Sequence, residues 1–167
     1  FFNGVQSLIA EGKLLAYHDR SDGGLFTTIV EMAFAGHCGV TVDISDLGND
    51  VPSILFNEEL GAVIQVKKDD EASVLKTLSN NGLTHCHVLG SVSDKDEIDF
   101  IFKGQSVLNN TRSHYRAIWA ETTHHMQSMR DNPACAQQEW DIKTDPQDPG
   151  IHADLSFNIN EDIAAPY

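Results

Sequence analysis

Basic side chains are scarce in this chain: 11 Lys and Arg stand against 25 Asp and Glu, a formal net charge of −14. A surface of that sign repels the backbone of nucleic acid, and no basic cluster exceeds the pair Lys67-Lys68, so no nucleic-acid partner is expected. Cysteine is sparse as well. Cys38, Cys86 and Cys135 are odd in number and scattered, which fits a reducing compartment, and hence the cytoplasm, better than a disulfide scaffold. No apolar run approaches membrane-spanning length and no signal-peptide pattern precedes the first elements, so no membrane partner is expected. Zinc spacings of the CxxC or HExxH kind are missing, and no Ser-His-Asp or Cys-His arrangement can be assembled.

What remains is a chain of 167 residues, enough for one domain with a proper core and an appendage. Residues 1–12 read as an amphipathic helix, with Phe1, Phe2, Val5, Leu8 and Ile9 at helical spacing and Gly12 to end it. Opening inside a helix without an initiator Met, and closing at Ala165-Pro166-Tyr167, the sequence reads as cut from something larger. Leu14 to His18 reads as a buried strand, and Gly24 to Ala35 as a helix stopped by Gly36. Val40 to Ile44 alternates with high strand propensity; Ser53 to Leu60 is expected to hold a short helix carrying Asn57-Glu58-Glu59. Gly61 to Val66 is the next strand, then a helix capped by Asp69 or Asp70 runs through Leu78 to Asn81-Gly82, and strands near 85–92 and 97–102 complete the globular part. This alternation, with at least one antiparallel pair of strands, predicts a layered α/β (α+β) sheet over residues 1–104.

Composition changes after Gly104, and residues 105–167 read as a helical and extended linker. Thr111 can cap a helix to about Arg130, with Ile118, Thr122, His125 and Met129 along one stripe, and Asn132-Pro133 can start another.

Chemistry concentrates in His18-Asp19-Arg20-Ser21-Asp22-Gly23-Gly24, between the first strand and the second helix. Helix-start N–H groups favour anions, and glycine lets a ligand approach the backbone. Carboxylates alone would repel phosphate, so a phosphate here requires a hard cation such as Mg²⁺ between them. Alternation along an extended segment turns Asp19 and Ser21 to one side, making Asp19 the better metal ligand and Ser21 the better partner for phosphate or ribose. Asp22 sits where it could cap the helix. An ordinary strand-to-helix turn explains the same residue types.

Other clusters carry less. His85 and His87 would share one face of a strand with Cys86 on the other, so they build no compact zinc site. His37-Cys38 and His124-His125 show no ligand spacing, Cys38 has no sign of activation, and Asn57-Glu58-Glu59 fits a solvated helix end as well as a second magnesium site.

Given these residues, the chain resembles the C-terminal part of the phosphoribosylformylglycinamidine synthases of the large single-chain form. The matching stretches are Leu14–Gly39, Leu55–Val66, Trp119–Asp131, Asn132-Pro133-Ala134-Cys135 and Leu155–Tyr167. The Asp-x-Ser-Asp-Gly-Gly core alone indicates the wider aminoimidazole ribonucleotide synthetase superfamily; the later stretches narrow it. The resemblance implies a C-terminal synthetase domain, a mixed sheet flanked by helices without its first strands, followed by a linker toward a glutaminase domain of the same polypeptide. It implies ATP/ADP and Mg²⁺ as cofactors, Asp19 as a metal ligand, Ser21 as a nucleotide contact, and Asp22, Gly23 and Gly24 as shapers of the nucleotide-binding turn. The implied reaction converts formylglycinamide ribonucleotide, ATP and glutamine to formylglycinamidine ribonucleotide in purine biosynthesis. The alternative is a non-catalytic module that holds an auxiliary nucleotide and docks the glutaminase domain.

Overall fold

A computed structural model of the chain describes residues 1–150 and 153–158, and the later part of the resembling stretch Leu155–Tyr167 lies outside them. Helix α1 (Phe2–Ala10) leads to strand β1 (Ala16–Asp19), α2 (Gly24–Gly36) and β2 (Gly39–Asp43). Then come α3 (Val51–Phe56), β3 (Ala62–Gln65), α4 (Glu71–Asn80) and strands β4 (Gly90–Ser93), β5 (Ile98–Phe102) and β6 (Gln105–Asn110). Two helices follow, α5 (Arg112–Arg130) and α6 (Pro133–Thr144).

The strands form two sheets. A mixed four-stranded sheet has the order β4-β2-β5-β6, with β2 and β5 parallel and the outer pairs antiparallel. A two-stranded antiparallel ribbon joins β1 to β3, with Asp19 opposite Ala62. Each has its own core. Leu25, Ile29, Val30 and Ala33 of α2 pack with Ile54 and Leu55 of α3 on Val42, Ile98 and Phe100 of the larger sheet. Leu8 of α1 meets Val74 and Leu78 of α4 over Ile64 of the ribbon. The expected mixed sheet flanked by helices is therefore present, with the ribbon as a second layer.

Several expectations are corrected, each for a local reason. Leu14 to His18 is not a buried strand: β1 starts at Ala16, and Leu15 and Tyr17 are exposed on the open side of a ribbon that has only one partner strand. Asn57-Glu58-Glu59 lies beyond α3, because Asp50 and Pro52 start that helix early and the Asn57 side chain accepts the Glu59 N–H in a turn that competes with helix. Neither Asp69 nor Asp70 caps α4 with its side chain, since a 3₁₀ turn over Lys68–Asp70 runs straight into the helix. Residues 85–89 form no strand; they cross from the second core, where Cys86 packs, to the first, where Leu89 packs.

Strand β6 adds to the sheet just after Gly104, where composition changes. It is an exposed edge strand, so apolar alternation does not mark it, and polar side chains there discourage pairing with other chains. Thr111 and Asn132 cap α5 and α6 as expected. The stripe of Ile118 and Met129, however, is exposed. Arg112, Tyr115 and Trp119 face the domain instead: Arg112 pairs with Asp96 at 3.1 Å, Tyr115 meets Phe26 edge-on and Trp119 meets Phe34.

Two outcomes test this packing. Phe100 is fully buried and in ring contact with Phe26, so Phe100→Ala should cost about 3–5 kcal/mol in urea unfolding. Hydrogen bonds from the Ser53 hydroxyl and N–H hold the Asp50 carboxyl below the usual carboxylate range. The contribution of this cap is complete above the unfolded-state pKa of Asp and disappears as pH falls through the lowered folded value. Carboxyl NMR titration of Ser53→Ala should move the Asp50 midpoint upward; an unmoved midpoint would contradict this cap.

Candidate functional site

Strand β1 alternates half-buried and exposed, so Tyr17 and Asp19 face the open side while His18 turns inward. The Asp19 carboxylate accepts no hydrogen bond and pairs with no cation among the described residues. Burial first, and the nearby Asp19 charge second, hold the Tyr17 phenol above its usual range. Tyr17 also lines an open apolar cleft of about 420 Å³ with Phe1, Val5, Ile9 and Leu14. The open side of the ribbon thus sets aromatic surface next to an unpaired carboxylate.

Past Asp19 the chain turns sharply into α2. Arg20 does not face the open side. Its Nε donates to the Glu59 carbonyl at 2.6 Å, and its main-chain N–H donates to the Gly61 carbonyl at 2.8 Å, tying the turn to the segment that leads into β3. Ser21 and Asp22 are exposed. Asp22 does not cap α2; the cap position belongs to Gly23, left-handed at φ 80°. Gly24 is left-handed too, at φ 68°, and a Cβ there would lie 2.7 Å from the Leu55 carbonyl oxygen and 2.8 Å from that of Asn57. The first turn of α2 therefore rests directly on the backbone leaving α3, and only glycine permits that approach.

Glu58 reaches into the turn and accepts the Gly23 N–H at 2.9 Å. The Gly24 N–H donates to the Ser21 carbonyl at 2.9 Å. A carboxylate, rather than a vacant anion seat, thus stands at the N-terminal end of α2, where the helix dipole favours negative charge. Sequence reading left Glu58 and Arg20 without a partner. The one signal for their pairing is that Asn57 to Gly61 immediately precedes the strand that must lie beside β1.

Behind the loop, His18 Nε2 stands 3.0 Å from Oε2 of Glu31, and Glu31 Oε1 accepts the Trp119 indole N–H at 2.8 Å. His18 Nδ1 lies 2.7 Å from the Asp19 carbonyl, so both ring nitrogens face acceptors.

The exposed donors at and just after the end of β1 are the Asp19 and Asp22 carboxylates and the Ser21 hydroxyl, all hard oxygens of the kind Mg²⁺ takes. Among the described residues no group of three or more His, Cys, Asp or Glu could hold a metal ion. A cation on Asp19 would therefore need phosphate, water or another polypeptide to complete its shell. Elsewhere, burial pushes the Cys38 thiol up against the pull of Arg112, the opposite of activation.

The family model of the AIR synthase related protein, C-terminal domain, matches residues 2–103, and the chain belongs to this family. Solved structures with the same fold include *T. maritima* PurL complexed with ATP, at TM-score 0.60 and 17% identity over 66% of this chain and 20% of that one. The same protein complexed with FGAR aligns at TM-score 0.59 and 17% identity over 67% of this chain and 19% of the other. Phosphoribosylformylglycinamidine synthase II from *Thermotoga maritima* aligns at TM-score 0.59 and 16% identity, covering 66% and 20%. The chain spans about a fifth of the length of each of these proteins.

The close contact at Gly24 predicts a graded pair of losses. Gly24→Ala combines a left-handed backbone with overlap on main-chain atoms and should cost about 3 kcal/mol in chemical denaturation. Gly23→Ala, whose Cβ would meet the Thr27 side chain alone, should cost less, because the Thr27 hydroxyl can rotate away and the 2.9 Å contact with its Cβ needs a shift within one helical turn rather than between two segments. Equal losses would contradict the packing described.

Proposed function

We propose that this chain forms one wall of a magnesium–nucleotide site in a phosphoribosylformylglycinamidine synthase-type ligase. The observation that carries the reading is the exposed Asp19 carboxylate at the end of β1, unpaired among the described residues and followed three residues later by the glycine turn into α2. Membership of the AIR synthase related family supports it, as does the fold shared with a PurL whose solved complexes include ATP, ADP and FGAR.

On this reading Asp19 holds Mg²⁺, and the Ser21 hydroxyl donates to a phosphate or ribose oxygen of ATP or ADP. Asp22, Gly23 and Gly24 shape the nucleotide-binding turn, and the Asp22 charge favours the cation. Mg²⁺, when bound, neutralises the charge of the phosphate groups. With both glycine N–H groups engaged, phosphate is held from the Asp19 side rather than by the helix start. The reaction served is ATP- and glutamine-dependent amidation of formylglycinamide ribonucleotide, with the other walls of the site and a glutaminase domain supplied by further regions of the same polypeptide. The chain after β6 leads toward that domain, in a cytoplasmic protein.

Asp19→Asn in the intact protein tests this. Nucleotide affinity in the presence of Mg²⁺ should fall by about tenfold or more, the equivalent of at least 1.4 kcal/mol, with little change in its absence. Turnover lost while bound nucleotide is retained assigns the site to chemistry. Loss of bound nucleotide together with a lower Tm assigns it to structural support. Unchanged magnesium-dependent affinity refutes the proposal.

A further inference from the structure

We propose that Glu31 is a positioning residue that couples the Asp19 strand to helix α5, so that nucleotide at the loop changes how firmly α5 is held. This rests on the nucleotide reading above and extends it to the helix that follows the sheet.

Glu31 lies within α2, half-buried, and its two carboxylate oxygens serve two different elements. Oε2 meets His18 of β1 at 3.0 Å, and Oε1 takes the Trp119 indole N–H of α5 at 2.8 Å. His18 closes the link to the loop, because its other ring nitrogen stands 2.7 Å from the Asp19 carbonyl. One carboxylate thus joins the residue preceding the proposed metal ligand to an aromatic that anchors α5.

The indole has little freedom apart from this bond. The Arg116 guanidinium lies 4.8 Å from its ring centroid and 5.2 Å from that of Phe34, which itself meets Trp119 edge-on. The other two anchors of α5, Arg112 on Asp96 and Tyr115 on Phe26, lead to the larger sheet and α2 rather than to β1. Trp119 is therefore the anchor tied to the ribbon. A ligand that fixes Asp19 fixes the carbonyl against which His18 is set, and so steadies the carboxylate that receives the indole. Losing that acceptor takes from the half-exposed indole its bond to a charged carboxylate, one of the links that hold α5 to the domain.

The test is hydrogen exchange on the intact protein with and without MgADP. In the wild type, MgADP should slow exchange at residues 16–24 and also across 112–122. In Glu31→Ala, protection of 16–24 should persist while the response of 112–122 disappears. Trp119→Phe, which keeps an aromatic ring at the Phe34 and Arg116 contact and removes the donor, should behave the same way. MgADP affinity should fall about three- to fivefold in each variant, and the double variant should be no weaker than Glu31→Ala alone, because both changes cut one link. Glu31→Gln, which still accepts from the indole, should retain part of the α5 response. An α5 response that survives Glu31→Ala, or additive losses in the double variant, overturns this proposal while leaving the nucleotide reading intact. Absence of loop protection in the wild type overturns both.

Discussion

Helix α2 begins pressed against the backbone that leaves α3, and the rest of the candidate site depends on that contact. The Cα of Gly24 sits where any side chain would strike the Leu55 and Asn57 carbonyls. Because the two backbones touch there, the segment Asn57 to Gly61 is delivered beside the turn. Glu58 can then bond Gly23, and Arg20 can bond the Glu59 carbonyl. The same contact seats Leu25 and Ile29 with Ile54 and Leu55 in the larger core. Packing and site geometry are set by one steric requirement.

The two cores divide the work. The larger sheet, closed over by α2 and α3, is the rigid support for the loop's exit into the helix. The ribbon β1–β3, backed by α1 and α4, supports its entry. Asp19 ends the ribbon and Gly24 starts the helix, so the exposed residues between them span a junction. Helix α5 is fastened across the larger unit partly by Arg112, a buried guanidinium paired with the Asp96 carboxylate, and among the described residues the Arg112 Nε has no acceptor. A buried ion pair of this kind adds little net stability, since desolvation offsets most of the attraction, but it fixes where the helix sits.

Local signals in the sequence were faithful where a single element could satisfy them. Gly36 ends α2 within a residue, and Thr111 and Asn132 cap their helices through their own side chains. They failed where tertiary contacts decide. Asn57 reads as helical until its side chain bonds Glu59, and Asp22 reads as a cap until two glycines take the turn. The α5 stripe was chosen by apolarity, yet the face turned inward carries Arg112, whose burial depends on an Asp96 that no periodicity reveals. Edge strand β6 has too little apolar alternation to announce itself. The loop itself was legible as a cluster of residue types, whereas the carboxylate at the Gly23 N–H was not, because Glu58 lies 35 residues away in sequence.

That carboxylate changes the electrostatic argument for the loop. A glycine turn at a helix start ordinarily invites phosphate through its N–H groups. Here Glu58 takes one of those donors and the Ser21 carbonyl takes the other. An incoming phosphate would have to displace a carboxylate already favoured by the helix dipole, within a chain whose net charge is −14. The exposed carboxylates of Asp19 and Asp22 raise the local negative potential further. For such a surface to take a polyanion, a divalent cation must reverse the sign of the field at the point of contact. Asp19, exposed and without a partner among the described residues, is the side chain that holds such a cation on the proposed reading. A loop that resembles a phosphate cradle in sequence is thus better matched, in its geometry, to a cation that carries the phosphate.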